Sequence, residues 1–167
     1  YHIKLTLITF ALIAYNQEKF ISEAINSAFS QIYSPLEIII SDDCSSDNTF
    51  EIIKSSILQY KGPHQIILNR NLHNMGISSH IRFIHEMSRG EIIIHAAGDD
   101  ISLPERTSKI YEAFNQSFPK PSMIISNAIE FTCHTYCKAL ILHIVLWGSR
   151  EVIPFTCRLK RFRMSRV

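Results

Sequence analysis

Two pairs of adjacent carboxylates, Asp42-Asp43 and Asp99-Asp100, are the residues of this sequence best suited by type and spacing to do chemistry. Neighbouring aspartates repel each other unless donors or a cation offset the charge. Hard divalent cations do this with oxygen ligands, and Mg2+ or Mn2+ can bridge to phosphate oxygens as well. Such a pair can also accept hydrogen bonds from sugar hydroxyls or from a base N–H. The plainer role is to cap the next helix, whose start favours negative charge. Two pairs at matched places in the chain weigh against that plainer role.

The elements around the pairs are what match. Residues 3–14 form an apolar, β-branched run and predict a buried strand. Asn16 then caps a helix from Gln17 to about Gln31, with Glu18 in its first turn and Ile21, Ile25, Ala28 and Phe29 at helical spacing. Residues 36–40 read as a second buried strand ending at the first acidic pair, and Asn48 and Glu51 have capping-box spacing for a helix to about Tyr60. Gly62-Pro63 breaks the chain before a short strand over 65–68 and a polar loop over 69–76. A helix over about 77–88 shows Ile77, Ile81, Ile84 and Met87 on one face, and Gly90 stops it. Residues 91–95 make a fourth strand, which runs into Ala96-Ala97-Gly98 and the second acidic pair. Ser102 and Glu105 suggest a second capping box, with Pro104 in the first turn of a helix to about Ser117. Residues 123–128 read as a fifth apolar strand.

The fold class predicted is α/β: a mostly parallel, Rossmann-like sheet with helices on both faces, because strands that read as continuous apolar runs are buried on both sides. Right-handed crossovers put the C-terminal ends of those strands on one edge, where ligands bind, so both acidic pairs face one crevice.

Composition supports a single domain. The chain has 167 residues, 46 % hydrophobic and 19 % charged, which excludes a disordered or collagen-like polymer. No apolar run approaches the ~20 residues of a membrane-spanning helix. Residues 1–130 carry 10 Lys/Arg against 14 Asp/Glu, whereas residues 131–167 carry 7 against the single acid Glu151. Cys133, Cys137, Cys157 and the only tryptophan also lie in that last stretch, so a boundary is expected near Phe131. With no visible secretory signal, reduced thiols and a cytoplasmic protein are expected.

Several functional classes find no support. Neither G-x-G-x-x-G nor a Walker pattern is present, so a nucleotide would be held by carboxylates and a metal. No G-x-S-x-G supports a serine hydrolase. A receiver-like signalling domain needs an acceptor Asp after its third strand and a Lys after its fifth, but Asn69-Arg70 follows the third and no Lys follows the fifth. Cys133-x3-Cys137, with His134, His143 and Cys157, offers one zinc-like pair without a second. The basic residues Arg158, Lys160, Arg161, Arg163 and Arg166 lack an aromatic stacking platform, so no nucleic-acid partner is expected; peripheral contact with an anionic membrane stays open. His95 reads as packed and His73 as a solvated surface residue.

Six ordered motifs carry a resemblance. They are Leu12-Ile13-Ala14-Tyr15-Asn16, residues 24–31 (AINSAFSQ), residues 37–47 (EIIISDDCSSD), Asn74-Met75-Gly76, Arg89-Gly90-Glu91 and residues 97–106 (AGDDISLPER). Residues 6–130 resemble the N-terminal, nucleotide-sugar-binding part of a family 2 glycosyltransferase of GT-A fold. The resemblance implies that Ala14 and Tyr15 line a base pocket and that Asp42 and Asp43 bind the nucleotide, with Cys44 where glycine is usual. It implies that Asp99 contacts the nucleotide and that Asp99 and Asp100 hold a divalent metal, Mn2+ or Mg2+, on the diphosphate. Ala97 stands where the first Asp of the family's Asp-x-Asp motif would be. A UDP-sugar is the implied donor, and the acceptor, carbohydrate or lipid-linked, is left unnamed.

In such enzymes a carboxylate base lies well downstream, in an acceptor-binding half. That half is expected to be missing here. Residues 131–167 show no clear alternation or helical period, and two readings stay open for them: a divergent genuine segment, or a foreign or out-of-frame tail. This segment is expected to pack poorly on the domain and to supply no catalytic base, so sugar transfer by the chain is expected to be negligible, and the alternative reading is a truncated, non-catalytic nucleotide-binding fragment.

Overall fold

The computed structural model describes residues 6–133 and 136–147. The elements run β1 (Ile8–Ala14), α1 (Ile21–Phe29), β2 (Leu36–Asp42), α2 (Thr49–Gln59), β3 (Gln65–Arg70), α3 (Ile77–Met87), β4 (Ile92–Ala97), β5 (Ile101–Ser102), α4 (Arg106–Gln116), β6 (Met123–Cys133) and β7 (Tyr136–Trp147). The first four strands form one parallel sheet in the order β3-β2-β1-β4. Its register sets Ala14 beside Asp42, Ile13 beside Ala97 and Asp42 beside Arg70, so the C-terminal ends of all four strands share an edge.

Alternation along the strands divides the core in two. Phe10, Leu12, Ile38 and Ile40 face one side with Ile21 and Ile25 of α1, Ile53 of α2 and Ile110 of α4. Ala11 and Ile39 face the other side and meet Ile84 of α3. A fully buried Ile or Phe contributes roughly 1.5–3 kcal/mol, so this double burial is what makes the central strands read as unbroken apolar runs. Among the described residues no helix is long and apolar enough to cross a membrane.

Two expectations give way to the tertiary structure. First, none of the expected helix caps forms. Helix α1 begins at Ile21, and no side chain caps it, α2 or α4 from the N-cap position. The side chains concerned bond elsewhere. Asn16 Oδ1 accepts from the Ser46 amide at 2.8 Å, and Glu18 Oε2 accepts from the amide and side chain of Asn48 at 3.0 and 3.1 Å. Ser102 lies in β5, where its Oγ accepts from Arg106 Nη1 at 3.0 Å. Second, residues 123–128 do not add a fifth strand to the parallel sheet. They belong to β6 in a second sheet of order β5-β7-β6, in which β6 and β7 are antiparallel. Phe131, near which the boundary is expected, lies in β6, and residues 136–147 form β7, paired with both β5 and β6. Residues 148–167, with Glu151, Cys157 and the terminal arginines, lie outside the described residues, as do His134 and the side chains of Cys133, Cys137 and His143.

A charged residue sits inside the buried second strand. Glu37 is fully buried, and its carboxylate accepts from Thr9 Oγ1 at 2.9 Å and from the Arg89 amide and Nε at 3.1 and 2.6 Å. Thr9 Oγ1 in turn accepts from the Gly90 amide at 3.0 Å, which ties the turn before β4 to β1. Burial opposes the Glu37 charge, but the Arg89 amide and guanidinium and the Thr9 hydroxyl outweigh it and hold the carboxyl below its ordinary range. A group with a depressed folded pKa stabilises the fold above its unfolded value, about 4.3, and that contribution is lost as pH falls through the folded value. Glu37→Gln is therefore expected to lose about 1–3 kcal/mol at pH 7 in urea denaturation, and the gap from the unmodified chain narrows below about pH 4. Gly90→Ala is expected to lower the melting temperature as well, because a Cβ there falls on the backbone nitrogen of Thr9 and within 2.8 Å of the Ile8 carbonyl carbon.

Candidate nucleotide-binding site

A cleft of about 400 Å3 opens at the C-terminal edge of the parallel sheet, between the ends of β1, β2 and β4 and the first turns of α3. Ala14, Tyr15, Asp43 and Asp100 all line it, with His80 of α3 and His95 of β4. One carboxylate from each acidic pair thus reaches the same cavity. Two ladder bonds beyond the strands hold the edge together: the Asp43 amide donates to Ala14 O at 2.9 Å and the Gly98 amide to Ile13 O at 2.8 Å. At Gly98 the chain packs closely: a Cβ would meet Gln17 Oε1 and come within 2.9 Å of Ile21 Cδ1, so those side chains would have to shift. That close approach lets the Asp99-Asp100 turn follow β4 directly.

The two members of the first pair differ. Asp42 is sealed from solvent and does not line the cleft. Its carboxylate accepts from the Ser45 hydroxyl and from the Ser45 amide at 3.0 Å, and it forms an ion pair with Arg70, whose Nε lies 3.4 Å away, which locks the turn after β2. Asp43 faces the cleft, but its carboxylate is largely engaged. Oδ1 accepts from Asn71 Nδ2 at 2.7 Å and from the Met75 amide at 2.9 Å, and Oδ2 from the Gly76 amide at 3.1 Å. Burial works against its charge; the Met75 amide, Asn71, His80 and the Gly76 amide outweigh burial and hold the carboxyl below its usual range. Of roughly four lone-pair sites on a carboxylate, three are used, so one acceptor position on Oδ2 is left for a ligand.

The second pair differs in the same way. Asp99 is exposed and stands outside the cleft lining, while Asp100 is half-buried within it. Burial and the charge of Asp99 push the Asp100 carboxyl up, against the opposing pull of Arg106 and the Ala97 backbone. The buried guanidinium of Arg106 lies under this turn, donating to His95 O at 2.7 Å and to Ser102 Oγ, and burial lowers its pKa to about 10. Among the described residues no three His, Cys, Asp or Glu side chains stand close enough to hold a metal by themselves.

Residues that sequence reasoning passed over complete the site. His80 is buried and bonded to Ser41, and Gln17 and Asn74 also line the cleft. On α3 the apolar face expected from spacing is rotated: Ile77 is 64 % exposed, and the buried residues are His80 and Ile84, one turn apart. A histidine in register with Ile84 was the available signal. His95 is half-buried rather than simply packed: its Nε2 lies 2.8 Å from that of His85, and burial, His85 and Arg106 lower its pKa. His73 is exposed, as expected.

Residues 9–132 match the family described as Glycosyl transferase family 2. The chain belongs to that family. Similar curated proteins include the "Putative glycosyltransferase EpsE" of Bacillus subtilis, 33 % identical over 95 residues, covering 57 % of this chain and 34 % of the relative. An uncharacterized glycosyltransferase of Nostoc is 32 % identical over 105 residues, covering 62 % and 31 %. The chain thus spans about a third of the length of these relatives. Among solved structures, S. aureus TarS in complex with UDP-GlcNAc is 25 % identical with a TM-score of 0.55, covering 64 % of this chain and 30 % of that one. The mannosyltransferase PcManGT of Pyrobaculum calidifontis, in complex with GDP-Man and Mn2+, shares the fold with a TM-score of 0.61 at 19 % identity, covering 72 % and 34 %.

This family member carries Cys44 at φ +61°, a left-handed conformation that favours glycine. Cys44→Gly is expected to raise stability by about 1 kcal/mol, since relief of a strain of roughly 1–3 kcal/mol exceeds the added chain entropy. Guanidinium denaturation of the two chains measures it.

Proposed function

We propose that this chain provides the donor-nucleotide site of a family 2 glycosyltransferase, which takes a nucleoside-diphospho-sugar, a UDP-sugar by preference, for transfer to an acceptor hydroxyl. The observation that carries the reading is the convergence of Asp43 and Asp100, from the ends of two different strands, on one cleft that Ala14 and Tyr15 also line. The similarity to TarS, whose structure holds UDP-GlcNAc, supports a uridine nucleotide.

In this reading Tyr15, with its side chain at the mouth of the cleft, offers a face for the base, and Ala14 leaves room beside it. Asp43 accepts one donor from base or ribose at its remaining acceptor position. Asp42 acts one step removed, by fixing the turn that presents Asp43. Asp99 and Asp100 suit a hard divalent cation: they are adjacent carboxylates whose mutual repulsion already raises Asp100, the condition a cation between them would relieve. With two protein carboxylates at hand, Mn2+ or Mg2+ would take its remaining ligands from diphosphate oxygens and water. When bound, the ion stabilises the negative charge that develops on the departing diphosphate.

Calorimetric titration with UDP and GDP, with and without Mn2+, tests this. UDP is expected to bind, about tenfold more tightly with Mn2+ than without. Asp99→Asn combined with Asp100→Asn is expected to abolish the Mn2+-dependent part while the melting temperature holds or rises, since two like charges are removed. Absence of binding by either nucleotide would sink the proposal.

A further inference from the structure

A buried titratable side chain stands at the back of the cleft, where the proposed donor site gives it no contact with the nucleotide. His80 is 1 % exposed, and its Nε2 lies 2.6 Å from Ser41 Oγ. Ser41 Oγ accepts from Asn69 Nδ2 at 2.9 Å, and the same amide nitrogen donates to Asn71 Oδ1, also at 2.9 Å. Asn71 Nδ2 donates to Asp43 Oδ1 at 2.7 Å. The relay of bonds therefore starts on α3, crosses the ends of β2 and β3, and ends on the cleft-facing carboxylate.

The proton count gives the relay a direction. An amide nitrogen only donates, so among the described partners of Ser41 Oγ the hydroxyl proton has one acceptor, His80 Nε2. The assignment that satisfies this proton takes Nε2 as the unprotonated nitrogen and His80 as the terminal acceptor. We propose that His80 is a positioning residue for Asp43: by accepting from Ser41 it orients Asn69 and Asn71, and so holds the Asp43 carboxylate where a nucleotide meets it. The relay's function rests on the donor-site reading; its existence does not.

The environment keeps the acceptor available. Burial lowers the pKa of His80, against the attraction of Asp43 and Asp42 at the end of β2; His95 of β4 lines the same cleft. A neutral imidazole accepts from Ser41, whereas an imidazolium cannot. The relay is then intact at neutral pH and broken only below the ordinary histidine range.

The test compares UDP titrations, with Mn2+, of the full chain and of His80→Leu, His80→Gln and Ser41→Ala. Leucine fills the space without an acceptor, and glutamine restores one. His80→Leu and Ser41→Ala are each expected to weaken UDP about tenfold, His80→Gln by no more than about twofold, and the double variant His80→Leu with Ser41→Ala by little more than either alone. Equal losses in the leucine and glutamine variants, or unchanged binding in Ser41→Ala, would overturn the proposal. Should His80→Leu fail to fold, Ser41→Ala, which removes a single oxygen, decides alone. A second measurement needs no nucleotide: exchange of the Asn71 side-chain amide protons, followed by NMR, is expected to quicken about tenfold in Ser41→Ala. Unchanged exchange refutes the relay, whereas quickened exchange in a protein that binds no UDP refutes only the donor-site reading.

Discussion

Strands β1 and β2 are sealed on both faces, and every polar group they must carry is driven to the two ends of the sheet. At the N-terminal edge this produces Glu37, which is tolerable only because Thr9 and the amide and guanidinium of Arg89 meet it. At the C-terminal edge it produces Asp42 and Asp43, each saturated or nearly so by donors from neighbouring loops. An unpartnered carboxylate at either place would be strongly unfavourable, so the loops are bound to the strand ends they follow.

That constraint explains why the site is shaped as it is. Asp43 does two things with one carboxylate: it fastens the start of α3 through the Met75 and Gly76 amides, and it faces the cleft. The helix start supplies the donors, so the anchoring of α3 and the placing of a ligand contact are the same event. On the other side of the cleft, the Asp99-Asp100 turn has fewer donors and keeps a surplus of negative charge. The cleft thus has one acidic wall whose carboxylate is satisfied by donors and one whose carboxylates are not. Such an asymmetry suits a ligand with a hydrogen-bonding nucleoside at one end and a cation-binding diphosphate at the other.

The second sheet shows how far a strand can be understood without its neighbours. β5 has two residues and β7 has twelve, yet they pair in parallel, and β6 closes the sheet on the far side of β7. The composition turns basic and cysteine-bearing after Phe131, and β6 and β7 pair antiparallel on either side of residues 134–135.

Much of this protein can be read from its residues alone. Apolar runs bounded by Gly, Pro and Asp locate four parallel strands and the helices between them, most plainly β1 and β2, where burial on both faces leaves a signal in nearly every residue. The positions of Asp43 and Asp100 at strand ends place them on one edge, since right-handed crossovers favour no other arrangement. Tertiary structure decided what each acid does. Asp42 and Asp43 are neighbours of the same type, and only the positions of Ser45, Arg70, Asn71 and Gly76 turn one inward and leave the other open to the cleft. The helix caps expected at Asn16 and Asn48 were lost for the same reason: a short polar side chain bonds to the nearest unsatisfied group in space, and that group lies on another loop, 30 residues away in the chain. His80 became legible only with Ser41 beside it, because a buried histidine is defined by the partner it accepts from, and no local pattern names that partner.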